Sequence, residues 1–182
     1  MKLKLSNVRL AFPALFEPKT VNGEGKPAFS ASLLISPSDP QVKAINAAID
    51  ECARDKWGAK AEAMLKQMRA ADKVCLHDGD LKASYDGFPG MLFISARNAV
   101  RPTVVDADKT PLVEADGKPY AGCFVNAVVE LWAQDNNYGK RVNATLTGVQ
   151  FFRDGDSFTG GRAASEDDFD DVAAGAMADD LA

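Results

Sequence analysis

Residues 121–153 read AGCFVNAVVELWAQDNNYGKRVNATLTGVQFFR, and this stretch decides the fold class. From Cys123 to Leu131 every second residue is apolar: Cys123, Val125, Ala127, Val129 and Leu131. The positions between them, Phe124, Asn126, Val128, Glu130 and Trp132, make a mixed face. Period two of this kind belongs to a strand with one buried side. After Asp135-Asn136-Asn137-Tyr138-Gly139 the alternation returns, with Arg141, Asn143, Thr145 and Thr147 on one polar face. Two long strands joined by a short Asn- and Gly-containing turn make a hairpin over 121–134 and 139–153.

The pattern extends outward in both directions. Residues 2–12 alternate, slip phase at Ser6-Asn7 and resume with Val8 and Leu10, which predicts a strand with a bulge. Residues 28–36 and 91–98 predict two more strands, and Arg101–Asp106 continues the latter beyond Pro102. Segment 13–27, with Asn22-Gly23 and Gly25, reads as a loop, and so do 77–90 and 107–119. Ser38, Asp39 and Pro40 start a helix, and Val42, Ile45, Ile49 and Cys52 recur at helical spacing. The stripe weakens at Gly58 and returns with Ala61, Met64, Leu65 and Met68, so 39–72 is a broken helix or a pair packed on the body. The expected fold is mainly β: an OB-fold-like antiparallel barrel of five to six strands with a helical insertion. Its body spans 1–162, and 163–182 form a disordered acidic C-terminal tail.

Composition excludes several classes. A chain of 182 residues can bury a core without disulfides or metal. Cys52, Cys75 and Cys123 are widely spaced, and His77 is the one histidine, so no zinc-ligand pattern exists and no cofactor or metal is expected. No apolar run approaches a membrane span, and the N-terminus alternates rather than forming a signal peptide, so a cytoplasmic protein is expected. His77-Asp78-Gly79-Asp80 offers carboxylates that a nuclease could use with Mg²⁺, but Asp-Gly turns explain them more simply, and no nucleophile elbow or P-loop accompanies them. The chain is therefore read as non-enzymatic.

The net charge of -5 conceals an uneven distribution. Residues 163–182 carry seven acids and no base, leaving 19 acids and 21 bases in the rest. Within the expected strands there are eight bases (Lys2, Lys4, Arg9, Arg97, Arg101, Lys140, Arg141 and Arg153) against the single acid Glu130. Lys and Arg also protect sheet edges from aggregation. A surface cleared of carboxylates and dotted with rings, however, suits a single-stranded polyanion, whose phosphates meet cations while its bases stack. The candidate contacts are Lys4, Arg9, Lys82, Arg97, Arg101, Lys140, Arg141 and Arg153 for phosphates, with Tyr85, Phe93, Trp132 and Tyr138 for bases. Segment 37–72 balances six acids with six bases and is not expected to touch the ligand. The tail, with Asp167, Asp168, Phe169, Asp170, Asp171, Asp179 and Asp180, mimics a nucleic acid in charge density. It is expected to compete for the basic surface and to recruit partner proteins. A protein-interaction module or recombination mediator that binds no DNA directly is the alternative.

Several motifs carry a resemblance. Phe93-Ile94-Ser95-Ala96, Arg101-Pro102 with Val104-Val105-Asp106, Tyr120-Ala121-Gly122-Cys123-Phe124-Val125-Asn126, Gly148-Val149-Gln150 with Arg153-Asp154-Gly155, and Gly160-Gly161-Arg162 ahead of Asp168-Phe169 together resemble the tailed-phage single-stranded DNA-binding proteins, first catalogued as a domain of unknown function. The similarity runs from Leu5 to Phe169. It implies an OB-fold related to that of the podovirus proteins of the same activity. It further implies sequence-independent binding of single-stranded DNA in phage replication, recombination or repair, an acidic C-terminus that contacts replication proteins, and a place in the host cell cytoplasm. A homo-oligomer is compatible with this class.

Overall fold

In the chain, strands β1 (Lys2–Val21) and β2 (Glu24–Ile35) precede helices α1 (Gln41–Trp57) and α2 (Ala61–Ala70). Then come β3 (Leu76–Asp78), β4 (Leu92–Asn98), β5 (Thr103–Val105), β6 (Phe124–Asn136) and β7 (Gly139–Arg153). The computed structural model describes residues 1–21, 23–158, 167 and 169–173. The acidic positions Asp168, Asp179 and Asp180 lie outside the described residues.

Five strands close a barrel in the order β2-β1-β6-β7-β4, with β4 returning to β2. All these pairings are antiparallel except the one that closes the ring, where β4 and β7 run parallel at Ala96↔Ala144 and Arg97↔Thr145. That ladder is short because residues 74–78 wedge beside it. Val74 bridges Val142, the Ser95 N–H donates to the Cys75 carbonyl, and β3 pairs with the first half of β4. β5 adds to the free edge of β7.

The interior is the alternating set expected from the sequence. Leu5, Val8, Leu10, Leu33, Ile94, Val125, Val129 and Leu146 are all essentially sealed. Leu5 and Val8 both point inward because the Ser6-Asn7 bulge absorbs one residue: the register jumps from Leu5↔Ala127 to Val8↔Val125, and Asn7 adopts φ 53°. Ile45 and Ile49 of α1 and Leu65 and Met68 of α2 pack on the same core. Gln41 fastens α1 to the bulge, accepting from the Ser6 N–H at 2.7 Å and donating to the Ser6 carbonyl at 2.8 Å. At its far end the Trp57 Nε1–H donates to Asp135 at 3.0 Å.

Segment 13–27 is not a loop. β1 continues to Val21 and β2 begins at Glu24, forming an arm paired at Lys19↔Ala28 and Val21↔Glu24. Residues 17–20 and 24–27 are exposed on both faces, so no buried side imposes the alternation that reveals a strand in sequence. The arm also places Glu17 and Glu24 beside Lys19 and Lys26, so the excess of bases belongs to the barrel proper.

The three cysteines are buried and unpaired. Burial pushes the Cys75 thiol up to about 12 and that of Cys123 up to about 11, and it also raises Cys52. A neutral buried thiol is a poor nucleophile. A colorimetric thiol reagent at pH 8 is expected to find essentially no reactive cysteine in the native protein and all three after denaturation.

Candidate nucleic-acid interface

The outer face of β1, β2 and β4 carries a platform of rings built by the loop 79–91. Asp78 accepts the Asp80 N–H and Asp80 accepts the Gly90 N–H, both at 2.9 Å, while Gly79 donates to the Met91 carbonyl at 2.7 Å. These carboxylates thus shape a turn. Among the described residues no group of three His, Cys, Asp or Glu side chains could hold a metal. The loop lays Phe88, 1% exposed, onto Ala11, Leu34 and Phe93. Phe12 arrives from β1 with φ 48°, at a break between Ala11↔Ser32 and Ala14↔Ser30. A phenylalanine in that region is strained, and the effect here is to throw its ring outward. Phe12 and Tyr85 stand edge to face at 5.0 Å and 89°, 49% and 51% exposed. Lys82 lies 5.2 Å from the Phe93 centroid and 5.7 Å from that of Phe12. His77 stacks on Phe93 at 4.9 Å, its Nδ1 2.6 Å from Asp72.

A groove of about 510 Å³ runs over this platform, lined by Phe12, Lys19, Ser30, Tyr85, Asp86 and Phe158 among others. One wall is the strap 154–158. The Arg9 guanidinium holds it, donating to the Gly122 carbonyl at 2.9 Å and the Asp156 carbonyl at 2.8 Å, and stacking over Phe158 at 4.2 Å. Phe158 donates its N–H to Ala121, and the Tyr120 hydroxyl reaches Asp154 at 2.7 Å.

The expected contact residues do not form one surface. Tyr85 lines the groove, and Lys82 lies beside the Phe12 ring that borders it. Arg97 is exposed on the outer face of β4, paired with Ser30 of β2 at the end of the face nearest the arm. Trp132 (46% exposed), Tyr138 (87%), Lys140 and Arg141 gather on the β6–β7 hairpin, where Lys73 also approaches Gly139. Lys4 lies elsewhere, on the β1–β6 side of the barrel. The side chains of Lys4, Arg97, Lys140 and Arg141 make no hydrogen bond or ion pair among the described residues. The remaining arginines are engaged internally. Arg9 serves the strap, Arg101 donates to the Leu112 carbonyl at 3.3 Å, and Arg153 donates to Asn7 at 3.2 Å and lies 3.7 Å over Phe124. Phe93, expected to face a base, is 3% exposed and roofed by Phe88, so it supports the platform from beneath. Asp167, Phe169, Asp170 and Asp171 are exposed. Sequence reasoning missed Phe12, Phe88, Phe158 and Lys19. The signal available for Phe12 was its place next to Pro13 at the end of the alternating run.

Counting only the closed barrel, β2 and β4 are its second and third strands, the arm is its first loop and the β6–β7 turn its last. Oligonucleotides and oligosaccharides meet OB-folds on that face and those two loops. Fold and surface thus define a protein of the OB class with a ring-bearing, cation-flanked face.

The comparisons agree with that class. The family described as "Enterobacter phage Enc34, ssDNA-binding protein" matches residues 1–182, and the chain belongs to this family. The chain is 50% identical over 175 residues, 94% of either protein, to putative protein p50 of Acyrthosiphon pisum secondary endosymbiont phage 1. The single-stranded DNA-binding protein of bacteriophage Enc34, solved in complex with ssDNA, superposes with TM-score 0.72 at 29% identity, covering 86% of this chain and 89% of that one. The gp2.5 single-stranded DNA-binding protein of bacteriophage T7 shares the fold, with TM-score 0.56 at 13% identity over 90% of this chain and 98% of that one. The Enc34 and T7 proteins are binding proteins, and this chain is a non-enzymatic member of the Enc34 family. No helix among the described residues is long and apolar enough to cross a membrane.

Proposed function

We propose that this protein binds single-stranded DNA without sequence preference during phage DNA replication, recombination or repair in the host cytoplasm. Residues 1–162 act as the binding domain. Residues 163–182 act as an acidic tail that competes with DNA and recruits partner proteins. The observation that carries the reading is the Phe12–Tyr85 platform with Lys82 and Lys19 beside it, on the face where OB-folds take oligonucleotides. Every base has a π-face, so stacking on rings tolerates any sequence. Lys19, Lys82, Arg97, Lys140 and Arg141 then follow the backbone from the arm to the β6–β7 hairpin. The strap ends at Phe158 on the groove wall, so the residues that follow start beside the site they would compete for.

Titrating fluorescent oligo(dT) at several salt concentrations tests this. Five neutralised phosphates at about -0.7 each give a slope of log affinity against log salt of roughly -3 to -4. Duplex of the same length is expected to bind more weakly, because its bases cannot stack on the rings. Salt-independent binding, or equal affinity for duplex, would contradict the proposal. Deleting 163–182 is expected to tighten binding about three- to tenfold at low salt, with the gain shrinking as salt screens the carboxylates. Absence of binding in both the full and the shortened chain would instead favour an interaction module.

A further inference from the structure

A second groove, of about 690 Å³, crosses the outer face of β1, β6, β7 and β5, away from the ring platform. Lys2 and Lys4 line one side from β1 and Lys109 the other. The floor is made of small side chains, Val128 and Gly148, which face each other across β6 and β7. The walls add neutral donors and acceptors from Asn126, Gln150 and Thr103. One carboxylate, Glu130, lines the groove opposite Lys2, and it and the nearby Asp106 and Asp108 already have partners. Glu130 sits 3.2 Å from the Met1 ammonium, Asp106 is 2.8 Å from Lys118, and Asp108 accepts the Thr110 N–H at 3.0 Å. Lys2, Lys4 and Lys109 have no ion pair among the described residues.

We propose that this groove is a second single-stranded DNA subsite that grips the phosphate backbone alone. The inference rests on the proposed function and extends its path. Trp132 stands two residues beyond Glu130 on the same outward side of β6, so a strand leaving the β6–β7 hairpin passes Trp132 and enters the groove. Lys2 and Lys4 are two residues apart on one strand and therefore project in the same direction, as a row of phosphates requires. No ring lines the groove, so bases there remain unstacked and the contact is electrostatic. The acidic tail is the competing occupant, and removing residues 163–182 separates its effect from that of DNA.

The test compares a short oligo(dT) of about 8 nucleotides, within the span of one OB-fold, with one of about 25. Both the full chain and the chain lacking 163–182 are used. The parent protein is expected to gain at least about tenfold in affinity with length, and the gain should shrink with salt. The triple variant Lys2→Glu, Lys4→Glu, Lys109→Glu is expected to lose that gain in both chains, while its affinity for the short oligonucleotide stays within about twofold. The milder triple Lys→Gln variant should lose part of it, which guards against misfolding by charge reversal. A length gain untouched by reversal in the tail-deleted chain overturns the second subsite. If reversal instead alters short-oligonucleotide binding only when the tail is present, the tail is the occupant and the proposal fails. Loss of short-oligonucleotide binding in the parent would overturn the proposed function itself.

Discussion

Replacing Phe12 and Tyr85 together by alanine is expected to weaken oligo(dT) binding by about thirtyfold or more while leaving the barrel folded. A base stacked on a ring contributes roughly 1–3 kcal/mol, so removing two rings costs about 2–6 kcal/mol. At about 1.4 kcal/mol per decade, the lower bound is already near thirtyfold. Both side chains are about half exposed and neither belongs to the barrel core, so the effect should appear in affinity rather than in folding. Phe88→Ala is the contrasting variant. Its ring is 1% exposed and carries the loop, so it should lose stability by about 3–5 kcal/mol as well as binding. Chemical denaturation beside anisotropy titration separates the two behaviours. If the double variant binds as tightly as the parent, the platform does not hold DNA.

Gly79→Ala is expected to weaken DNA binding without replacing any ring. A Cβ on Gly79 would collide with the carbonyl oxygens of Phe88 and Met91, both backbone atoms of the loop that Gly79 closes. No side chain can rotate to relieve that contact, so the loop must open, and Tyr85, Phe88 and Lys82 leave their places together. Overpacking of this kind typically costs about 1–3 kcal/mol, less than a barrel of this size can lose before unfolding. The expected result is a native far-UV circular dichroism spectrum, a lowered melting temperature and DNA affinity down by about fivefold or more, the loss expected when the Tyr85 ring leaves and Phe12 stays on β1. Gly90→Ala, where a Cβ meets nothing within 4 Å and only the φ of 74° resists, should retain most of the binding. Equal effects from the two glycine variants would mean that loop strain, and not the collision at Gly79, governs the platform.

Much of the barrel was legible because one buried face imposes period two. Cys123 to Leu131 alternates for that reason, and the Ser6-Asn7 slip marked a real bulge. The arm was not legible, since residues 17–20 and 24–27 have no buried side to order them. Nor was the parallel closure of β4 on β7, which depends on where residues 74–78 wedge in rather than on any local pattern. The site was half legible. Exposed cations on strands can be counted in a sequence, but whether a guanidinium faces solvent or a neighbouring carbonyl depends on tertiary contacts. Arg9, Arg101 and Arg153 were therefore indistinguishable from Arg97 and Arg141. Ring placement was harder still. Phe93 shares a face with Ser95 and Arg97, as expected, but a loop folding back from residues 79–91 covers it. Phe12 is exposed because of a φ that no propensity predicts.

Photocrosslinking tests most directly where the DNA lies. An oligo(dT) carrying 5-iododeoxyuridine, bound to the full chain, irradiated and mapped by mass spectrometry, reports which rings touch bases. The structure predicts crosslinks at Tyr85 and Phe12, with the β6–β7 hairpin residues Tyr138 and Trp132 as further positions along the same strand. Crosslinks that spare Phe12 and Tyr85, or that fall only on α1 and α2, would contradict it.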